Sequence, residues 1–349
     1  MRKSTLRAAF AAALLLTIGS TTANATSWRI HQNVTKKAHF TSINAAMSSD
    51  EVVAGDTLYL DPGSDISGTQ TISKRVTVIG TGYITDSPHQ RARITGAVNI
   101  NAANTKLEGC ILKYSVNMYA SNITIERCSV SGIISWPSSP AGHYATIRQC
   151  YITGAISGYS SSSGSYSSYA TIENNIFLCT SGSAPIRTLY SPTIRNNYIR
   201  QSSTSSGSTS GFVLSDIQYA NITNNIFIQT AQKNKILYDV KFSQINNNLM
   251  SCAEGTYTGS PDNVWLDGMA ESDIFTLEGI DDQRYLLKDS SPAKGAAQDG
   301  GDCGPFGGLY PYVIGGMPYG HPYYTHISVG AKPVDGKVSV SLNIEMQDE

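Results

Sequence analysis

The chain has 349 residues, with 25 Lys and Arg against 26 Asp and Glu, and charged residues make up 15% of it. The basic residues are scattered, whereas a protein that binds nucleic acid shows a basic stripe, so the composition excludes a nucleic-acid partner. No stretch approaches the roughly 20 consecutive apolar residues of a transmembrane segment. The abundance of Ser, Thr, Asn, Gly and Tyr is typical of exported, strand-rich proteins.

The first 25 residues have the pattern of a secretory signal peptide. Arg2, Lys3 and Arg7 precede an apolar run at residues 8–18, and the small-residue site Ala23-Asn24-Ala25 follows it. Removing residues 1–25 takes away three basic and no acidic groups, which leaves 25 − 3 = 22 basic residues and a net charge of 22 − 26 = −4. We therefore expect a mature protein that is secreted, periplasmic or bound to the cell surface.

A repeat of variable length occupies the middle of the chain. An apolar anchor residue recurs every 18 to 28 positions, at Leu107, Ile125, Ile147, Ile172, Ile194, Ile222 and Ile245. The residue five positions after each anchor is also apolar in every copy, so two side chains per repeat are expected to face inward. One such unit cannot bury its apolar face alone, but copies stacked ~4.8 Å apart form a continuous core. The repeat therefore predicts an all-β parallel solenoid with one constant corner and variable loops elsewhere.

The third residue after each anchor forms a second column. It is Cys in the first three repeats and Asn in the last four, at Cys110, Cys128, Cys150, Asn175, Asn197, Asn225 and Asn248. Asn tolerates left-handed backbone, and its amide can bond to the amide of the next rung. We predict an asparagine ladder at this corner, continued by three buried thiols. Strands in register rarely offer the dihedral angle of a disulfide, so we expect these thiols to be free.

The repeat and its flanking segments resemble the pectin-lyase-like right-handed parallel β-helix proteins, which are common among exported bacterial carbohydrate-active proteins. Residues 40–46 and 55–63 look like the cap helix and first strand of that family, and residues 291–296 and 302–308 look like its closing segment. The resemblance implies a right-handed parallel β-helix over residues 26–308 with a short N-terminal cap helix. It also implies a polysaccharide or a cell-surface glycan as the partner.

The C-terminal part of the chain differs in composition from the repeats. Residues 309–324 are rich in Tyr, Pro and Gly, and two alternating segments at 325–329 and 338–344 flank Asp335-Gly336. Alternation on both sides of an Asp-Gly turn indicates a β-hairpin. We therefore predict that residues 309–349 form an appendage with a C-terminal β-hairpin.

The resemblance assigns no activity, because the same fold hosts lyases, hydrolases, esterases and adhesins. Calcium-dependent lyases of this kind need several carboxylates and an Arg or Lys base, and the related hydrolases need a cluster of aspartates. Between residues 101 and 250 the acids are Glu108, Glu126, Glu173, Asp216 and Asp239. Neither arrangement is visible in this set. No cofactor is evident from the sequence, and Ca²⁺ enters only with the lyase interpretation.

Asp216 and Asp239 are the candidate catalytic pair, because each lies six residues before an anchor. Adjacent rungs would hold them ~5 Å apart, where like charges repel unless a cation, Arg or Lys lies between them. Arg187 and Lys241 are the candidates for that role. A retaining glycosidase also holds its two carboxyl groups about 5 Å apart. The alternative is that both aspartates are solvated carboxylates at strand ends. We expect two of the other acids, Glu126 and Glu173, to be exposed on strands, and we assign them no role.

Aromatic residues suggest binding rather than catalysis. Trp136, Tyr190 and Tyr238 precede anchors and can line one face on which sugar rings stack, although core packing is the alternative for Trp136. His143 is a candidate base or binding residue, and a loop hydrogen bond is its alternative role. The shortage of acids favours a glycan-binding or surface-scaffold protein. The competing hypothesis is a polysaccharide lyase or glycoside hydrolase that uses Asp216 and Asp239.

Overall fold

The computed structural model describes residues 25–83, 91–137, 144–159, 169–257, 262–279, 281–318, 323–329, 337 and 340–345. Residues 1–24 of the expected signal peptide, His143, and Asp335-Gly336 of the expected turn lie outside the described residues. No helix in the described part of the chain is both long and apolar enough to cross a membrane.

Short strands alternate with tight corners along most of the chain. The first thirteen are β1 (Ser27–Ile30), β2 (Thr57–Leu60), β3 (Asp65–Ile66), β4 (Gln70–Ile72), β5 (Thr77–Ile79), β6 (Arg93–Ile94), β7 (Val98–Ile100), β8 (Lys106–Glu108), β9 (Ile111–Leu112), β10 (Val116–Met118), β11 (Ile123–Glu126), β12 (Ser129–Val130) and β13 (Ile133–Ser135). The next fifteen are β14 (Tyr144–Arg148), β15 (Tyr151–Ile152), β16 (Ala155–Ser157), β17 (Tyr169–Glu173), β18 (Ile176–Cys179), β19 (Ile186–Tyr190), β20 (Thr193–Arg195), β21 (Tyr198–Gln201), β22 (Leu214–Gln218), β23 (Asn221–Thr223), β24 (Ile226–Gln229), β25 (Leu237–Lys241), β26 (Gln244–Asn246), β27 (Leu249–Met250) and β28 (Val264–Trp265).

These strands form three parallel sheets. Sheet A has the order β1-β2-β5-β8-β11-β14-β17-β20-β23-β26, sheet B the order β3-β6-β9-β12-β15-β18-β21-β24-β27-β28, and sheet C the order β4-β7-β10-β13-β16-β19-β22-β25. Each coil adds one strand to A, then B, then C. All crossovers join parallel strands, which takes the right-handed sense. The predicted right-handed parallel β-helix is confirmed.

The ends of the solenoid also agree with the predicted fold. Helix α1 (Ile43–Ser48) begins at Ser42, whose side chain accepts a hydrogen bond from the backbone N–H of Ala45 at 3.0 Å, and it packs against β4. Helix α2 (Glu271–Ile274) follows the last coil. The C-terminal hairpin is present as β29 (Tyr323–Val329) paired antiparallel with β30 (Val340–Glu345).

The asparagine ladder is confirmed at the corner between sheets A and B. The four predicted Asn side chains are fully buried. Each side-chain amide donates to the side-chain oxygen of the next ladder residue at 2.9 Å, in the order Asn175, Asn197, Asn225 and Asn248. Asn248 donates in turn to Asn263 at 3.1 Å, so the ladder is one rung longer than predicted. Each amide thereby satisfies polar groups that would otherwise be buried without partners.

The sequence suggested left-handed backbone at the ladder Asn itself. In the structure the residue before it has this conformation. Positive φ values occur at Gly109, Arg127, Gln149, Asn174, Asn196, Asn224 and Asn247. The left-handed residue turns the chain outward, and the next residue then points inward to the ladder. In each Asn-Asn pair of the sequence, the first Asn therefore forms the left-handed turn and the second forms the ladder.

The three thiols take over the ladder position in the earlier coils. The N–H of Cys150 donates to Asn175 Oδ1 at 2.9 Å, and its Sγ lies 3.1 Å from the carbonyl oxygen of Arg148 and 3.5 Å from that of Ile125. Cys128 Sγ lies 3.7 Å from the carbonyl oxygen of Leu107 in the same way. All six cysteines are buried and free.

The C-terminal segment at residues 302–318 runs along the outside of the A–B corner. Side chains of successive left-handed residues donate to its backbone carbonyls, with Asn196 bonded to Asp302, Asn174 to Gly307, Gln149 to Pro311 and Arg127 to Met317. The segment therefore runs from the later coils back toward the earlier ones. Its hydrogen bonds connect four coils.

This segment changes the environment of the strand acids beside the corner. Glu126 and Glu173, expected to be exposed, are only 1% and 3% exposed. Glu126 is paired with Lys106 at 2.8 Å and Arg148 at 3.0 Å. The guanidinium of Arg148 lies 4.5 Å from the ring of Tyr310 in the covering segment. The expectation was wrong because only the folded chain brings residues 302–318 over this surface.

The ladder predicts a large effect for a single buried amide. Replacing Asn197 by Ala leaves the buried N–H of Asn175 without its acceptor and removes one of the two donors to the Asn225 oxygen, so we expect the free energy of unfolding to fall by about 2–4 kcal/mol. Urea unfolding measures this change. The matched control is Asn234→Ala at an exposed site, and equal losses in the two variants would contradict the ladder's role.

The buried acids predict a dependence of stability on pH. Burial alone would raise the pKa of Glu126, but bonds and charge from Lys106 and Arg148 outweigh it and lower the pKa below 4.5. A lowered pKa stabilises the fold fully above pH 4.5, and this contribution is lost as the pH falls through the folded pKa. The stability difference between wild type and Glu126→Gln should therefore shrink below pH 4.5 in urea titrations. The matched control is Glu254→Gln at an exposed site, and a difference for Glu126→Gln that is constant with pH would contradict this assignment.

Candidate functional site

A column of exposed aromatic rings lies at the corner between sheets C and A. We call it the aromatic column; it contains one ring at each of five successive corners, from Tyr144, Tyr169, Tyr190, Tyr219 and Phe242. Tyr144 and Tyr169 stack with centroids 5.1 Å apart, as do Tyr219 and Phe242, and Tyr190 tilts against Tyr219 at the same distance. The exposed fractions of Tyr144, Tyr169, Tyr219 and Phe242 are 53%, 47%, 49% and 72%. The rings thus form two contacting groups, Tyr144 with Tyr169 and Tyr219 with Tyr190 and Phe242, and four of the five rings are exposed to solvent.

The geometry of the column decides which parts of the rings a ligand can reach. The stacked pairs are nearly parallel, at 18° and 20°, so neighbouring rings cover each other's inner faces. Tyr190 is tilted by 57° against Tyr219, so this pair does not stack face to face. The column therefore offers apolar edges and hydrogen-bonding groups together.

The backbone of the column is strained in its later coils. Ser191, Tyr219 and Phe242 have φ values of 52°, 56° and 53°, a region that large side chains rarely adopt. Such residues persist only where the surrounding structure holds them, and they cluster at functional sites. Here the N–H of Ser191 and of Tyr219 donates to the next coil at 2.7 and 3.0 Å, which fixes the turn.

A column of small polar side chains runs beside the rings on the outer face of sheet A. The strand register aligns one hydroxyl or amide per rung, at Thr124, Thr146, Thr171, Thr193, Asn221 and Gln244. We call this set the hydroxyl column. Parallel strands lie ~4.8 Å apart, so the same group recurs at a constant interval along the solenoid.

The outer face of sheet C flanks the rings on the other side. Its outward positions are aligned at Ser135, Ser157, Arg187, Ser215 and Tyr238. Arg187 donates to the carbonyl oxygen of Ala184 at 2.9 Å, and burial lowers the pKa of its guanidinium. The ring of Tyr238 packs 5.1 Å from that of Phe212, over which the Lys235 ammonium lies at 5.4 Å.

The two candidate catalytic aspartates occupy equivalent positions on the adjacent strands β22 and β25. They fall where the pairing register skips one residue, and both have left-handed backbone, with φ values of 54° for Asp216 and 49° for Asp239. Asp239 is exposed and pairs with Lys241 at 2.5 Å. Within the described residues, no ion pair joins Arg187 to either aspartate. The structure thus brings Asp239 and Lys241 together and leaves Arg187 bonded to backbone.

The four candidate binding residues do not form one site. Tyr190 belongs to the aromatic column and Tyr238 to the face of sheet C. Trp136 is 1% exposed, and its Nε1 has no hydrogen-bond partner among the described residues, so the ring is part of the core and presents no face to a ligand. Trp136 follows β13 directly and turns inward with the core side chains. His143 lies outside the described residues.

Four of the five column residues were not identified from the sequence, although a signal was present. Tyr144, Tyr169, Tyr219 and Phe242 all lie three residues before an anchor, and the hydroxyl column lies one residue before it. Aligning those offsets would have shown both columns. That the residues stack and are exposed follows only from the corner geometry.

Comparison with known proteins adds no relative. No known protein family matches the chain, and no curated protein matches it significantly. Among the described residues, no group of three or more His, Cys, Asp or Glu side chains is placed to hold a metal ion. The class of the protein, a parallel β-helix with an asparagine ladder, therefore rests on its own geometry.

Proposed function

We propose that this protein is an exported, pectin-lyase-like β-helix that binds a polysaccharide along the aromatic column. The observation that carries the proposal is the presence of aromatic rings at five successive corners, from Tyr144 to Phe242, four of them exposed. Contiguous exposed apolar surface on a folded protein marks an interaction site more often than isolated exposed residues do.

The repetition along the solenoid supports a polymer rather than a small molecule. A chain that lies parallel to the solenoid axis meets an aromatic ring and a hydroxyl or amide at each rung. The strands that carry these groups are held in register on both sides, so little conformational entropy is lost on binding. Sugars have both apolar C–H surfaces and hydroxyl groups, which match the two columns.

The aromatic column can be tested by removing two of its rings. We expect the double variant Tyr169→Ala/Tyr219→Ala to bind polysaccharide about tenfold or more weakly, because each ring contributes apolar contact and a hydroxyl group. Affinity electrophoresis against a panel of polysaccharides identifies the ligand, and calorimetry with that ligand gives the dissociation constant.

The matched control is Tyr114→Ala. Tyr114 is 59% exposed but lies between β9 and β10, away from the column. Its loss should leave affinity unchanged, and thermal unfolding of each variant shows whether the fold is retained. Equal affinity of the double variant and wild type, or equal losses in the control, would contradict binding through the column.

A second candidate function, a polysaccharide lyase or glycoside hydrolase, is favoured by Asp216 and Asp239. Two carboxylates on adjacent rungs, each at a left-handed residue, can act as acid and base or hold a cation, with Arg187 or Lys241 stabilising charge. Ca²⁺ belongs only to the lyase form of this candidate.

Asn is the matched substitution for this candidate, because it favours left-handed backbone as Asp does. If the aspartates are catalytic, Asp216→Asn and Asp239→Asn each abolish release of unsaturated or reducing ends, with the thermal midpoint unchanged. The assay uses uronic-acid and neutral polysaccharides with and without calcium. No release by wild type from any of them, or full turnover in both variants, would contradict this function.

A further inference from the structure

We infer that the ligand of the aromatic column is an uncharged polysaccharide that lies parallel to the solenoid axis. The inference rests on the proposed function and adds the chemical class of the ligand. It is carried by the ion pairs of sheets A and C, the two sheets that meet at the column.

Almost every cation on these sheets already has a carboxylate partner. Their strands contain six Lys and Arg residues, and five of them form ion pairs within the chain: Arg29 with Asp61, Lys106 with Glu108 and Glu126, Arg148 with Glu126, Arg195 with Glu173, and Lys241 with Asp239. The sixth, Arg187, donates to the Ala184 carbonyl oxygen. A polyanion would have to displace these carboxylates.

The balance of charge leads to the same conclusion. The strands of sheets A and C contain six basic residues and five acidic ones, Glu108, Glu126, Glu173, Asp216 and Asp239, a difference of 6 − 5 = +1. Recognition of a charged polymer uses a row of unpaired charges of opposite sign, which raises the association rate and makes affinity depend on salt. These sheets have no such row among the described residues.

The groups that do repeat at each rung are uncharged. The hydroxyl column continues through six strands, and the aromatic column runs beside it through five corners. On β11, β14, β17 and β20 the acids and bases lie two residues after the hydroxyl column, where they are half-buried or buried and paired with one another. A sugar chain along the axis therefore meets neutral donors, acceptors and rings, and Lys241, the residue before Phe242, is paired with Asp239.

The sign of the charge on the ligand can be read from paired substitutions at Asn221. This exposed amide lies in the hydroxyl column, two residues from Tyr219. Asn221→Asp and Asn221→Lys introduce opposite charges at one place. For an uncharged ligand we expect their dissociation constants at 50 mM NaCl to agree within about twofold. An anionic ligand would bind the Lys variant more tightly than the Asp variant by about fivefold or more, which would overturn the inference.

Polysaccharides that share a backbone but differ in charge give the direct test. The panel pairs polygalacturonate with its carboxyl-reduced form and carboxymethylcellulose with hydroxyethylcellulose, and adds other neutral and acidic polysaccharides. We expect binding only to uncharged members, with affinity changing less than about twofold between 50 and 500 mM NaCl.

Each other outcome has a distinct meaning. A preferred ligand that is acidic and binds about tenfold more weakly at 500 mM NaCl overturns the inference but leaves the proposed function standing. Binding to no member of the panel overturns the proposed function and this inference together. Binding of neutral members that persists in Tyr169→Ala/Tyr219→Ala would place the ligand elsewhere and overturns both.

Discussion

Parallel pairing in register is the constraint on which this structure depends. Once each coil lies directly over the one before it, every position in the repeat becomes a column. Each side chain then lies beside the side chain at the same position of the next coil. A buried polar group in such a column must bond along the column or remain without a partner. The ladder from Asn175 to Asn263 meets this requirement, because each amide donates to one neighbour and accepts from the other. The three thiols of Cys110, Cys128 and Cys150 meet the same requirement with S–H groups, which are weaker hydrogen-bond donors.

The same local conformation serves two purposes at two corners. Left-handed residues at the A–B corner, such as Gln149 and Asn174, direct side chains outward to the carbonyls of residues 302–318. Left-handed residues at the C–A corner, such as Tyr219 and Phe242, direct rings into solvent. The first corner is covered by residues 302–318, whereas at the second the rings of Tyr219 and Phe242 are exposed. The difference between a structural corner and a candidate binding site thus lies in which corner the C-terminal segment follows.

That segment also determines the electrostatics of the surface. Covering Glu126 and Arg148 removes them from water, where an isolated buried charge would be costly, so each is paired across rungs. These ion pairs neutralise charges that could otherwise attract an ionic ligand. The groups that repeat beside the rings are hydroxyls and amides, and the exposed Asp239 is paired with Lys241. This is the physical basis for proposing an uncharged glycan.

The sequence by itself determined the coil repeat, the ladder from Asn175 to Asn248, the cap helix and the C-terminal hairpin, because each follows from short-range periodicity or turn chemistry. It also placed Asp216 and Asp239 at equivalent positions, since their distance from an anchor is fixed along the chain. Only the tertiary structure decided that Trp136 is core, that Glu126 and Glu173 are buried, and that Tyr144, Tyr169, Tyr219 and Phe242 form one exposed surface. Burial depends on which distant segment covers a position, and the stacking of two rings depends on corner geometry across coils. Neither is encoded in the spacing of residues within one repeat.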